Sequence, residues 1–573
     1  MADLLFEIGT EEIPAGFVEP ALAQLQQKFE AKIGELKVGH GTIRTLGTPR
    51  RLTLLVADLA VKQDEIREEL LGPSKKAGLG PDGEFTKAAQ GFARSKGSSV
   101  DNLQIVETPK GEYLMLVVES GGNQTEKLLP EVLHQLVLEL SFPKSMRWGA
   151  NYQSFARPIQ SIVALLDEKV IHFEHEGIVA SNTTRGHRFH ANEEFPIKSP
   201  ATYEKQLLEK YVVADIAERR RKVVEEIQRA VAGAKGLEGA AVLIDEGLVD
   251  TVTHLVEYPH GVCGRFDEKF LQLPDEVLIT SMREHQKYFP VVNSNGELMS
   301  AFVAVNNTRV NSLETTTRGH QRVLRARLED ALFFFENDRK IALTDRVNLL
   351  EGIIFQARLG TMLEKKDRLI KLSKILGEVI NPQLQPVIEK SALLCKTDLL
   401  SDMVGEFPSL QGIMGRAYAI NDGEDEQVAL AIQEHYMPKR AGADLPSSDA
   451  GAILGLADRF DTLAGCFGIG QIPSGTTDPF GLRRIALAIL HIIEKKKYQI
   501  SLREVAHKAL ALYGDKVDGS SGTVDKILGF IQGRFINDCV REGIQVSVVE
   551  AAVGVEFDEI NDCRLRIDAI NQV

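Results

Sequence analysis

The chain is poor in cysteine: five in 573 residues, at 263, 395, 466, 539 and 563, with no C-x-x-C and no zinc-ribbon spacing. Thiols this dispersed point away from a disulfide framework and toward a reducing compartment. Long apolar runs are missing too, none reaching the ~18 residues that span a bilayer. The opening Met-Ala-Asp-Leu-Leu-Phe-Glu puts acids where a secretory signal needs Lys or Arg. The expectation is a soluble, cytoplasmic protein. Excess positive charge is also absent, since the formal net charge is −14. That argues against a protein that coats DNA or lies on an acidic membrane. A large folded RNA remains compatible, because a few local patches suffice to hold it. No G-x-x-x-x-G-K-[ST] phosphate loop, G-x-S-x-G elbow or H-E-x-x-H motif occurs. Gly468–Gly475 is glycine-rich but carries Pro473 and follows no clear strand, so it reads as a helix-to-loop transition.

At this length one core is too few, and the composition, 43% hydrophobic and 26% charged, is that of folded domains. Leu4–Ile8 and Leu52–Val56 read as strands around a helix marked by Leu22, Leu25, Phe29 and Ile33. Residues 60–125 are charged and glycine-rich and read as an insertion with long loops. Ser161–Leu166 and Ala301–Val305 are further strands. From about 320 the period changes: Leu324, Leu328, Leu332 and Phe335 share one helical face, and helical patterns punctuated by proline follow to the end. The fold class expected is multidomain α+β. Mixed α/β modules occupy 1–320, an all-α domain 321–500, and a further helical domain begins at 501–573.

Against the acidic background, Arg318–Arg327 holds four arginines and no acid. Other basic segments precede it: Thr48–Arg51, Phe142–Gly149, Phe155–Pro158, Thr183–Arg188 and Arg283–Pro290. Several place Arg or Lys beside an aromatic and a Gly or Pro. Such loops can offer guanidinium to phosphate and a ring to an unstacked base. Singly each reads as a solvated turn; their recurrence favours RNA contact. Arg318, Arg322 and Arg325 share a helical face, on which Arg325 can pair with Glu329. Arg318 reaches Glu314 only if the helix starts that early, which Thr315–Thr317 and Gly319 argue against. Arg322 has no acid at helical spacing and is expected to be the freest cation.

His172, His175, His187 and His190 fall within nineteen residues. Zinc is the minority reading, since Arg185 and Arg188 would repel a cation and strand geometry splays residues three apart. A basic, RNA-facing segment is preferred. In the helical half, Asp398, His435 and the pair Asp458 and Asp461 lie on three separate helical patterns, where His and Asp can converge on a divalent ion that activates water. Polar helix faces are the simpler reading.

Together these segments resemble one family, the β subunit of the bacterial heterotetrameric glycyl-tRNA synthetase. The strings are Leu5-Phe-Glu-Ile-Gly-Thr-Glu-Glu-Ile-Pro14, Thr48-Pro-Arg-Arg-Leu52, Phe142-Pro-Lys-Ser-Met-Arg-Trp-Gly149, Thr184-Arg-Gly-His-Arg188 and Arg283-Glu-His-Gln-Lys-Tyr-Phe289. Val323-Leu-Arg-Ala-Arg-Leu-Glu-Asp-Ala331, Met403-Val-Gly-Glu-Phe407 and Asp478-Pro-Phe-Gly-Leu-Arg-Arg484 continue the order. The resemblance implies an α2β2 enzyme that charges tRNA(Gly) with glycine using ATP and Mg²⁺, both bound by the α subunit. The β chain would bind and position tRNA, with no catalytic residue of its own and no DNA or membrane partner. It further implies synthetase-like N-terminal modules, an HD-like middle domain and the start of a helical anticodon-binding domain, incomplete at Val573. In the HD pattern Thr397-Asp398 stands where His-Asp is required, so one ligand is missing. Asp398, His435 and Asp458 are weak metal candidates, with Asp461 a further remnant.

The tRNA-binding candidates are Arg50, Arg51, Lys144, Arg147, Trp148, Arg157, Arg185, His187, Arg188, Arg283, Lys287, Tyr288, Arg318 and Arg322. Two other readings compete. An HD-type metal phosphohydrolase would show Mn²⁺-dependent phosphodiesterase activity through His435. A scaffold for an acidic protein would bind without the steep salt dependence of phosphate contacts.

Overall fold

The computed structural model describes residues 1–80, 83–109, 111–149, 152–309 and 312–571. The chain forms two compact units, Met1–Phe266 with Lys287–Arg322, and Asp267–Gln286 with Val323–Val573.

In the first unit the strand Ala2–Thr10 lies at the centre of a five-stranded sheet, antiparallel to Arg51–Leu59 on one side and Ile159–Leu166 on the other. Alternate side chains leave a strand on opposite faces. Leu4, Phe6 and Ile8 meet the helix Ala15–Glu35 through Leu22, Leu25 and Phe29, and Thr125–Glu139 through Leu129 and Leu133. Leu5, with Val163 and Leu165, meets Tyr203, Leu207 and Val212 on the reverse face. Cover on both sides explains why this strand reads as a continuous apolar run. It also places Glu7, on the same side as Leu5, in the interior.

Residues 60–125 depart from the expected long loops. Glu65–Ser74, Gly111–Gly121 and Leu103–Thr108 form a three-stranded antiparallel sheet with Gly111–Gly121 in the middle. The helix Lys87–Ser95 covers it through Ala89 and Ala93, which pack on Leu103, Leu114 and Leu116. Leu71 and Ile105 stay exposed. A sheet covered on one face needs few apolar residues, and its charged outer positions hide the strand signal. A four-stranded sheet completes the unit, in the order Ala241–Val242, Phe289–Val292, Leu298–Asn306, His260–Arg265. The helix Ile216–Ala232 packs on it through Val223, Ile227 and Val231.

The second unit is mainly helical. The helix Asp449–Gly468 is buried on almost every side and packs against Met362–Ile380, Glu426–Glu434, Leu482–Lys496 and Leu502–Ala511. Two polar devices fix its neighbourhood. Thr361 and Glu364 form a reciprocal capping box at the start of Met362–Ile380. The buried Glu434 carboxylate accepts the backbone N–H and hydroxyl of both Ser447 and Ser448 at the entry to the central helix.

The helix Leu313–Asp338 buries Leu324, Leu328, Leu332 and Phe335, the face read from the sequence. It starts earlier than expected. The Ser312 hydroxyl accepts from the Thr315 N–H, and Glu314 sits in the first turn where the helix dipole favours an acid. Those two effects outweigh the weak helix propensity of the three threonines. Arg318 therefore does reach Glu314, at 2.5 Å.

Among the described residues no helix is long and apolar enough to cross a membrane.

Candidate functional site

Two polar centres and a set of exposed cations hold the candidate chemistry. The first centre lies under the five-stranded sheet. Glu7 accepts from the Thr184 hydroxyl at 2.5 Å and from the Tyr203 hydroxyl, which also meets Thr53 Oγ1 at 2.9 Å. Arg51, on the neighbouring strand, approaches Glu7 at 3.7 Å, pairs with Glu257 and donates to the Arg185 carbonyl. Thr48 Oγ1 donates to the same Glu257 oxygen at 2.8 Å. Burial disfavours the Arg51 charge, but Glu257 and then Glu7 hold its pKa above the usual value. The Tyr203 phenol is pushed well up, by burial first and by the Glu7 charge second. The strings at 5–14, 48–52 and 184–188 thus join in one interior network.

That placement separates the basic candidates. Arg51 and His187 are buried; Nε2 of His187 donates to the Asn307 carbonyl at 2.6 Å. Tyr288 is buried as well, its hydroxyl bonded to His320 Nδ1 at 2.7 Å and its ring stacked on Phe302. These three side chains face the protein rather than solvent, because each has a partner far off in the sequence. Trp148 packs half-buried against the core of the first sheet. Arg50 is half-buried, and its Nε and Nη1 have no hydrogen-bond partner among the described residues. Arg185 pairs with Glu194 and Arg188 with Glu11 and Glu12. Arg157 donates to its neighbour's carbonyl, and Arg283 pairs with Glu284. Lys287 is half-buried in a left-handed backbone conformation, φ 57°.

Lys144, Arg147 and Arg322 are exposed and make no ion pair or side-chain hydrogen bond among the described residues. Arg325 meets Glu329 at 3.6 Å, as its spacing foretold, although Lys269 reaches the same oxygen at 2.7 Å. These exposed pairs are each worth about a few tenths of a kcal/mol.

Of the four clustered histidines, His172 is exposed and His175 is buried edge-on to His134. His190 accepts from the Arg309 N–H at 2.8 Å and stacks on His187. The last two serve as ties to the Asn307–Arg309 segment.

The second centre is in the helical unit. Lys396, in the turn after Gln385–Leu394, is buried and lies over the Tyr436 ring at 4.2 Å. Its Nζ donates to His435 Nε2 at 2.9 Å and to Asp458 Oδ2 at 2.8 Å. Nδ1 of His435 donates to the Ile432 carbonyl at 2.6 Å, so the imidazole is neutral and presents a lone pair to the ammonium. Burial, reinforced by Lys396, holds the His435 pKa well below its usual value. Lys365 contacts the other oxygen of Asp458 at 2.7 Å and Asp461 at 2.8 Å, and Arg368 completes the shell of Asp461 at 2.6 Å. An ammonium thus receives the His and Asp donors that a divalent ion would need. Asp398 is turned elsewhere, accepting from the N–H groups of Gly412 at 2.6 Å and Gly415 at 3.2 Å. Among the described residues no group of three or more His, Cys, Asp or Glu side chains is arranged to hold a metal.

Burial raises the Asp398 carboxyl to about 6, against the opposing pull of Gly412 N–H and Lys396. For an acid the sign is unfavourable to stability: the folded state binds the proton more tightly than the unfolded one. Stability from this group therefore falls as pH rises from about 4 to 6, by on the order of 3 kcal/mol, and stays low above. Asp398→Asn should lose that slope. Urea midpoints at pH 4 and pH 8 for both proteins test it, and parallel profiles would sink it.

Similarity to known proteins covers nearly the whole length. The family described as glycyl-tRNA synthetase beta subunit matches residues 4–554. The glycine–tRNA ligase beta subunit of Citrifermentans bemidjiense is 45% identical over 99% of this chain and 82% of its own length. The beta subunit of Geobacter sulfurreducens is 44% identical, and that of Syntrophus aciditrophicus 44%, each over 99% of this chain and 82% of the relative. With a match that runs through both units, the chain belongs to the glycyl-tRNA synthetase β-subunit family, part of an aminoacyl-tRNA ligase.

Proposed function

We propose that this chain binds tRNA(Gly) and positions it for ATP-dependent glycylation on a partner α subunit, within an α2β2 assembly in the cytoplasm. The observation that carries the reading is that Lys144, Arg147 and Arg322 are exposed and have no ion-pair partner among the described residues, in an acidic chain of this family. Side chains without protein partners are available to phosphate, and phosphate contacts set register and affinity. Arg50, Arg157, Arg185, Arg188, Arg283, Lys287 and Arg318 are secondary candidates, several of which would first exchange a carboxylate for a phosphate. ATP and Mg²⁺ act on the α subunit in this reading. No residue of this chain has a bond-making role; its contribution is orientation of the acceptor end.

The helical unit reads as an HD-like scaffold in which Lys396 has taken the place of the metal, and the helices from about 501 as anticodon-binding. The phosphohydrolase alternative needs Asp398, His435 and Asp458 to face one ion. Lys396 instead occupies His435 Nε2 and Asp458 Oδ2, and Asp398 turns its Oδ2 to the Gly412 and Gly415 N–H groups.

Glycylation should appear only when this chain and the α subunit are mixed; activity from this chain alone defeats the reading. In the mixed enzyme, Arg322→Ala should weaken tRNA binding and reduce the salt slope by ~1 for each phosphate left without its cation. A slope equal to that of the parent removes Arg322 from the interface.

A further inference from the structure

A cavity of about 340 Å³ opens beside the Lys396 centre, lined by Tyr436, Lys439, Arg459 and Arg484 on its polar side and Pro438 and Ile485 on its apolar side. Its volume falls in the range of small-molecule sites.

The charge in it is unbalanced. Arg459 is buried, yet its guanidinium donates to the carbonyls of His435, Gly455 and Met437, at 2.9, 2.9 and 2.7 Å, and to no carboxylate among the described residues. Arg484 is exposed at the rim and makes no ion pair or side-chain hydrogen bond among the described residues. Lys439 donates to the Ser409 carbonyl at 3.0 Å and likewise pairs with no acid among the described residues. The one carboxylate in the lining, Asp458, is already held between Lys365 and Lys396. A low-dielectric wall carrying guanidinium and ammonium groups without counter-charges favours an anion, and the planar fork of Arg suits a phosphate. Tyr436 and Ile485 offer an apolar surface to whatever the phosphate carries.

We propose that this pocket binds a phosphomonoester of about the size of a nucleoside monophosphate, its phosphate between Arg484 and Lys439. It is a binding site, with no covalent step. The inference goes beyond the tRNA-positioning role and does not depend on it. The same chemistry is available from a free nucleotide or from the 5′-phosphorylated end of an RNA.

Calorimetric titration of the full chain with AMP, adenosine and inorganic phosphate tests it. AMP should bind one to one, with adenosine at least about tenfold weaker, because the charged contacts supply most of the affinity. Arg484→Ala and Lys439→Ala should each weaken AMP about tenfold, with Arg484→Lys intermediate and all three retaining the parental thermal melt. Both positions lie at the rim, so folding and binding are separable. Displacement of AMP by a 5′-phosphorylated short RNA, but not by its 5′-hydroxyl form, assigns the site to RNA ends. Displacement by neither assigns it to free nucleotide, and both outcomes support the phosphate site. No saturable AMP binding, or unchanged affinity in Arg484→Ala and Lys439→Ala, overturns it.

Discussion

Exchanging Arg51 for methionine is expected to lower the stability of the first unit by about 3–5 kcal/mol, the usual consequence of removing one partner from a buried ion pair. The side chain is 3% exposed and stands between Glu7 and Glu257, which are both fully buried. Without the guanidinium, two carboxylates share an interior in which the Thr48, Thr184 and Tyr203 hydroxyls are their remaining donors. Truncation also leaves the Arg185 carbonyl without its donor. Trp148, the single tryptophan, packs on the core of this unit and gives a local fluorescence readout of urea unfolding. Arg51→Met combined with Glu257→Gln should recover part of the loss, since coupled residues are non-additive. A midpoint for Arg51→Met within error of the parent would show that the centre contributes nothing.

The second large effect is expected at Lys396. Lys396→Met should cost about 3 kcal/mol, at the lower end of that range because Asp458 keeps Lys365. His435 Nε2 loses its donor, and the Tyr436 ring loses the cation above it. The pH response carries a signature that simple cavity formation lacks. In the parent, the depressed pKa of His435 makes its contribution to stability fall as pH drops through about 6.5, the unfolded value. With the ammonium gone, an imidazolium can pair with Asp458, so Lys396→Met should lose less stability on acidification than the parent does. Urea titrations followed by helical circular dichroism at pH 5 and pH 8 read both effects. Equal acid sensitivity in the two proteins would remove Lys396 from control of His435.

Local patterns in the sequence carried much of the fold. The run Leu4–Ile8 is the middle of the central strand, and Leu22, Leu25, Phe29 and Ile33 form the buried face of Ala15–Glu35. Period and apolar content suffice there because both signals lie within one element. The small sheet of residues 65–121 was hidden by its exposed positions, and the early start of Leu313–Asp338 by a serine cap that outweighs propensity.

The candidate sites were harder to read, for a different reason. Arg50 and Arg51 are adjacent, yet only Arg51 meets Glu7 and Glu257, 44 and 206 positions away. Charge and spacing cannot tell a solvated arginine from one whose counter-ions come from other strands. Lys396 did leave a trace. It is the lone cation in Ala392-Leu-Leu-Cys-Lys-Thr-Asp-Leu-Leu400, and a lysine in so apolar a turn requires a buried acid. The departure of Thr397 from the HD pattern could be read from the resemblance, whereas the ammonium of Lys396, one residue upstream, was seen to meet His435 and Asp458 only in three dimensions.

A charge supplied by Lys396 is covalently part of the polypeptide. It arrives with translation in a one-to-one ratio, cannot be chelated or exchanged for a rival ion, and is not lost on dilution. The integrity of this buried centre is therefore uncoupled from the ion supply of the cell.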